Sequence, residues 1–319
     1  MGFAKKSKVF SIVSLGGVCT NLGFIPCGQL VAMEEAVPIS IEPYEGEFSE
    51  KGKNLFDCLK AKLGDVGKNR LNEIMVKIEK NGDENLGKVL VRLKESNKLK
   101  VLADLLDKLY GKGPSVLSKI INEINDNGAA NLYLILSKIK AVGIGESKCS
   151  VANQFAKLLS NLDDVGASNF ALILGKDEEG SKYSVLDNSL INVFGVDSLV
   201  GILEKLDEQG IHNLVILLKQ KESAITKVFI RVLNNLSSAG ATNFSKILKA
   251  LSEQETFNFS NVLVGKNLDI DKLVEKINDE KFNTNTFVDK LCNGGKNLKA
   301  EDFINEKGLG VLNIDEHYF

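Results

Sequence analysis

Two histidines, five cysteines and four copies of Gly-Lys-Asn are the residues of this 319-residue chain whose types could carry chemistry. His212 sits in Gly210-Ile211-His212-Asn213 and His317 lies near the C-terminus. A structural metal site draws on Cys and His at short, fixed spacings. Neither histidine has a neighbouring cysteine or stands in a metal-ligand spacing, so both read as surface residues. If the first 32 residues are removed, Cys58, Cys149 and Cys292 remain, and an odd count does not describe a disulfide-framed domain. Cys149 and Cys292 fall in polar stretches and could pair, while Cys58 stands at an apolar position and reads as core. None of them has a nearby His to make a nucleophilic thiolate. Gly-Lys-Asn begins at Gly52, Gly67, Gly265 and Gly295. A phosphate loop needs Gly-x-x-x-x-Gly-Lys-Ser/Thr, whose backbone N–H groups cradle phosphate while the hydroxyl meets Mg²⁺. These copies lack that pattern and read as turns and caps. The expectation is a non-enzyme with no catalytic residues, no cofactor and no metal.

The elements that would position any such group begin after residue 50. Lys5, Lys6 and Lys8 precede an apolar stretch at 9–19, with mixed residues to Ala32, which is the order of a secretory signal peptide. The apolar part is far short of the roughly 20 residues that span a bilayer, so no stable membrane span is expected in the mature chain. Pro26 argues against reading Cys27 as a lipoprotein cysteine. Residues 33–53 hold two of the four prolines and six glutamates and read as an acidic, extended linker. Beyond residue 54 a single proline, Pro114, follows Gly113 where a helix could start. The expected organisation is a signal at 1–32, a linker at 33–53, a repeat domain at 54–292 and a C-terminal cap or tail at 293–319.

One short pattern recurs through that domain: a polar anchor, often Asn, followed by apolar residues at +1, +4 and +5. Clear copies start at Asn85, Asn131, Asn169, Asn243 and Asn258. With weaker copies the anchors run 54, 70, 85, 101, 116, 131, 154, 169, 198, 213, 228, 243, 258 and 273. Eleven of the thirteen gaps are 15 or 16 residues, a regularity that identifies a repeat. A further apolar residue often falls at +8. Positions +1, +4, +5 and +8 share one stripe of an α-helix but scatter over both faces of a strand.

Gly82, Gly113, Gly128, Gly166, Gly210 and Gly240 stand twelve residues after an anchor, with Asn97 in that place once. The spacing predicts a left-handed helix stop at each glycine and an N-cap at the Asn three residues on. Asn-capped units alternate with units starting at Arg70, Val116, Gln154, Ser198 and Val228, which predicts helical hairpins of about 30 residues. A helix of about 11 residues is about 16 Å long and cannot stand alone, so the expected fold is all-α, an α-solenoid of short helices stabilised by neighbour contacts.

The hairpin at 120–139, with its Asn127-Gly128 loop, slightly resembles the repeats of bacterial DNA-reading effectors of the TAL class. Their Gly-Gly followed by Lys or Gln is here Gly-Asp, Gly-Ala, Gly-Ala, Gly-Ile and Gly-Ala at 82, 128, 166, 210 and 240, so the chain is not placed in that family. Charge points the same way. After residue 32, 37 basic residues face 42 acidic ones, net −5, which is not a polyanion-binding balance. The period breaks at 141–151 and at 175–197. Insertions in a repeat array go to loops on one face, often the binding face, and the second contains the candidate interaction loop Lys176, Asp177, Glu178, Glu179, Lys182 and Tyr183. The alternative for both breaks is a neutral loop or a degenerate repeat.

These features together predict an exported, non-enzymatic helical-repeat protein that binds a partner protein. In a bacterium living with a host it would act as a host-directed effector. The alternatives are a TAL-like nucleic-acid reader and a carrier of lipid or another small ligand between helices.

Overall fold

The computed structural model describes residues 50–138, 151–176, 196–219, 223–263 and 269–293. They belong to one unit, Ile41–Phe319, and the stretches read above as signal (1–32), most of the linker (33–53) and nearly all of the tail (293–319) lie outside the described residues. Among the described residues there are fifteen α-helices and no strand. They are α1 (Glu50–Lys60), α2 (Asp65–Lys77), α3 (Lys80–Glu95), α4 (Leu99–Lys108), α5 (Gly113–Glu123), α6 (Asp126–Lys138), α7 (Val151–Asn161), α8 (Asp164–Lys176), α9 (Val196–Leu203), α10 (Glu208–Lys219), α11 (Ser223–Asn235), α12 (Ser238–Ala250), α13 (Glu253–Leu263), α14 (Ile270–Asn278) and α15 (Thr284–Asn293). Helix α1 begins inside the stretch read as linker. No described helix is long and apolar enough to cross a membrane.

The apolar stripe is the buried face. Leu86, Val89, Leu90 and Leu93 of α3 are buried, and so are Phe170, Ile173 and Leu174 of α8 and Phe244, Ile247 and Leu248 of α12. The +8 residue often ends the helix. Ile78, Leu109, Ile124 and Leu251 are C-caps with extended backbone, yet stay in the core. Cys58 departs from expectation and is exposed. Helix α1 turns Leu55, Phe56 and Leu59 inward instead, so its stripe is offset by one position and the thiol falls outside it.

The glycines are not helix stops. Gly82, Gly128, Gly166, Gly210 and Gly240 lie in the first turn of the following helix, and among the described glycines only Gly111 has positive φ. The N-caps stand three residues before the glycine. Asn125 Oδ1 accepts from the Gly128 N–H at 2.9 Å, Asp163 Oδ1 from Gly166 at 2.7 Å, Asp207 Oδ1 from Gly210 at 2.9 Å and Ser237 Oγ from Gly240 at 3.0 Å, each filling an orphan donor of the first turn. Asn97 alone behaves as expected. Its φ is 55°, its N–H donates to Lys94 O and the Lys98 N–H donates to Leu93 O, which together close α3 in a Schellman motif.

Glycine is required in these first turns by close approach. A Cβ at Gly240 would collide with Asn278 Oδ1, and Asn278 uses that oxygen to accept from the Ser237 N–H at 2.8 Å and its Nδ2 to donate to Asn235 O at 2.9 Å. Gly87, in the middle of α3, has nothing within 4 Å of an added Cβ. Gly87→Ala is therefore expected to stabilise the protein by about 0.5–1 kcal/mol through helix propensity. Gly240→Ala displaces Asn278 and is expected to cost about 1–2 kcal/mol. Urea midpoints of the two variants at unchanged m-value test the pair, and opposite signs are the expected outcome.

Neighbours along the chain are not the main packing partners. Helix α2 packs on α4 and α5, α3 on α5 and α6, α5 on α7 and α8, and α6 on α8. Past residue 196, α10 packs on α12 and α13, α11 on α13 and α14, and α12 on α14 and α15. Partners thus lie two and three helices ahead, whereas a hairpin would pair each helix with the next. The reason is visible in α8, which buries Gly166, Ala167, Phe170, Ala171, Ile173 and Leu174. The small residues next to the stripe let further helices approach from a second side. One hydrophobic cluster runs from Leu55 to Leu291.

Candidate interaction surface

The anchor asparagines organise the surface from below. Each lies inside a helix and donates its side-chain amide to carbonyls at the C-terminal end of a helix further along. Asn85 donates to Ile121 O and Ile124 O at 2.9 and 2.7 Å, Asn131 to Leu174 O at 2.8 Å, and Asn169 to Leu203 O and Leu206 O at 2.8 Å each. Asn213 donates to Leu248 O and Leu251 O at 2.7 and 2.6 Å, and Asn243 to Ile277 O and Asp279 O at 2.9 and 3.0 Å. The last carbonyls of a helix have no partner within it, and here a neighbouring helix supplies the donors. All five asparagines are buried. The anchors are clamps between helices, and for the last four the N-cap role expected of them belongs to residues six positions earlier, while Glu79, six before Asn85, makes no side-chain cap bond.

Above the first clamp lies an open polar hollow. Asn81, Glu84, Asn85 and Lys88 of α3 form one wall, and Ile124, Asn125, Asp126 and Asn127 at the start of α6 form the other. The Asn85 bonds hold the end of α5 against α3 and so fix the distance between the walls. Asn125 caps α6 and donates to Gly175 O at 3.3 Å. Lys88 Nζ pairs with Asp126 across the hollow. A second hollow, lined by Asn235, Asp271, Val274, Glu275, Asn278 and Asp279, lies between α11 and α14, with Arg231 paired to Asp271.

The residues singled out for chemistry are dispersed. His212 is partly buried, with Nε2 3.9 Å from Glu253. Cys292 is exposed, yet local desolvation, then a hydrogen bond and charge from Glu255, push its thiol up to about 11, the opposite of what activates a nucleophile. Glu255 is held below its ordinary value first by Cys292 and then by Ser252. Ser252 and Glu255 also form a capping box for α13, the Ser252 N–H donating to Glu255 Oε2 at 2.6 Å. Cys149 and His317 lie outside the described residues. Gly67 sits in the first turn of α2 and donates to Asp107 Oδ1 at 2.8 Å, a capping contact from a packed helix.

Of the candidate loop, Lys176 is the last residue of α8 and its carbonyl accepts from Lys219 Nζ at 3.0 Å. Asp177, Glu178, Glu179, Lys182 and Tyr183 lie outside the described residues. An apolar gap inside α2–α6, bordered by Leu71, Val89 and Leu105, encloses about 20 Å³, room for one water-sized body and not for an acyl chain. The polar runs Asn81 to Lys88 and Asn125-Asp126-Asn127 are visible in the sequence, but only the packing of α3 beside the start of α6 brings them into one hollow. No protein-family model, curated protein or solved structure matches this chain.

Proposed function

We propose that the chain is a secreted, non-enzymatic helical-repeat protein, an α-solenoid that uses an exposed polar face to bind a partner protein. The observation that carries this reading is the α3–α6 hollow. Its walls combine side-chain amides with charges of both signs, a mixture that can pair with backbone amides and with side chains of either charge. The rigid clamp beneath it favours the same use, because a surface held in place loses little entropy on binding. Export rests on the order of charge and apolar residues in the first 32 positions, and a host-directed role is its extension for a bacterium living with a host.

Affinity purification of the full-length protein from its native surroundings is the test, run beside a variant with Glu84→Lys and Asn127→Lys. Both changes sit at the rim of the hollow and leave the Asn85 clamp intact. The expected result is a partner enriched by the natural chain and weakened roughly tenfold or more by the double variant, at an unchanged melting temperature. Absence of any such partner, beside a hydrolytic or transferase activity of the purified protein, would overturn the reading.

A further inference from the structure

One atom in the clamp of α12 has a second chemistry open to it before folding. Asn243-Phe244-Ser245 is an Asn-x-Ser acceptor sequence for N-linked glycan, and Asn243 Nδ2 is the nitrogen that binds Ile277 O and Asp279 O in the native protein. We propose that Asn243 is a glycan acceptor in the nascent chain whose modification the native fold cannot accommodate, so that the protein's natural synthesis runs outside any compartment that transfers oligosaccharide to Asn-x-Ser. The inference does not depend on partner binding, and it narrows the route of export.

The transfer forms a bond from Nδ2 to the anomeric carbon of a lipid-pyrophosphate-linked oligosaccharide. The carbon–oxygen bond to pyrophosphate breaks, the lipid pyrophosphate leaves with the electron pair, and the nitrogen loses one proton. The product amide keeps a single N–H where the clamp uses two. A sugar ring would also have to occupy space now filled by the end of α14, at a residue that is only 6% exposed. Two neighbouring acceptor sequences set the scale. Asn235-Leu236-Ser237 places its asparagine on the exposed end of α11, with Nδ2 donating within its own helix to Arg231 O, and a glycan there would face solvent. Asn258-Phe259-Ser260 is intermediate, its asparagine partly buried on α13.

The test directs the full-length chain into a eukaryotic secretory pathway behind a secretion signal, with Ser260→Ala in every version to silence Asn258. A second version adds Ser245→Ala, which removes the acceptor sequence and keeps Asn243. Among the described residues the Ser245 hydroxyl donates to Ala241 O within its own helix α12, so the fold should tolerate the change, and the same variant made in bacteria reports this directly. With Ser245 present, the expected result is a glycan mapped to Asn243 by mass spectrometry and a chain that trypsin degrades. With Ser245→Ala, a trypsin-resistant protein is expected from both hosts. Three results would overturn the proposal: an unmodified Asn243, a glycosylated Asn243 in a chain as trypsin-resistant as the Ser245→Ala version, or a Ser245→Ala version that is resistant from bacteria but degraded from secretory cells.

Discussion

Phe244→Ala is expected to lower the free energy of unfolding by about 3–5 kcal/mol. Phe244 is fully buried and stands in the middle of an aromatic file. Its ring centroid lies 5.9 Å from Phe229 and 6.1 Å from Phe259, both tilted, and Phe259 continues at 5.9 Å edge-on to Phe287. Removing the central ring loses its own transfer free energy and two aromatic contacts, each of about 0.5–1.5 kcal/mol beyond area. It also leaves a cavity that helices fixed by clamps cannot readily close. The file joins α11, α12, α13 and α15, so the loss should be local. Hydrogen exchange is expected to accelerate in those helices while α2–α6 keep their protection. Uniform acceleration across all helices would show that the array unfolds as one cooperative body. Phe244→Leu, which keeps most of the volume, should cost less than half as much in the same urea titration.

The helices were legible because a 3.6-residue stripe depends on nothing outside the helix itself. Leu86, Val89, Leu90 and Leu93 are as buried as their spacing required. The anchors were legible as positions but not as roles. Asn is at once a favoured N-cap and a good buried amide donor, and the choice depends on carbonyls 34 to 43 residues away. The same holds for glycine. Its freedom at positive φ suggested a stop, whereas at Gly240 what matters is the absent Cβ beside Asn278, a residue on a helix that sequence spacing alone does not place there. Hairpin pairing was inferred from alternation along the chain. Packing instead runs two and three helices ahead, and in α8 the small residues Ala167 and Ala171 open a second side to it. The hollow between α3 and α6 depends on that packing, so its walls could not be brought together before the partners were known.

The clamp itself makes the second large prediction. Asn213 is 0% exposed and its Nδ2 supplies Leu248 O and Leu251 O at 2.7 and 2.6 Å. Asn213→Ala strands both carbonyls in the core, each at a cost of about 1–3 kcal/mol, so a loss of about 2–6 kcal/mol is expected, read as a lower urea midpoint at constant m-value. Asn213→Leu restores volume without a donor and should recover only the packing part. Asn213→Asp separates hydrogen bonding from packing by pH. Above an unfolded-state pKa of about 3.9 the introduced carboxylate would face two carbonyl oxygens in a buried site, so its folded-state pKa must rise. The folded protein then binds the proton more tightly than the unfolded chain, and stability falls as pH rises from about 4 toward the raised value. Below pH 4 the neutral acid can donate one hydrogen bond to Leu248 O or Leu251 O and should approach the alanine variant. At pH 8 it should be clearly less stable than alanine, and equal pH dependence of the two variants would show that the Asn213 amide does not act as the donor to those carbonyls.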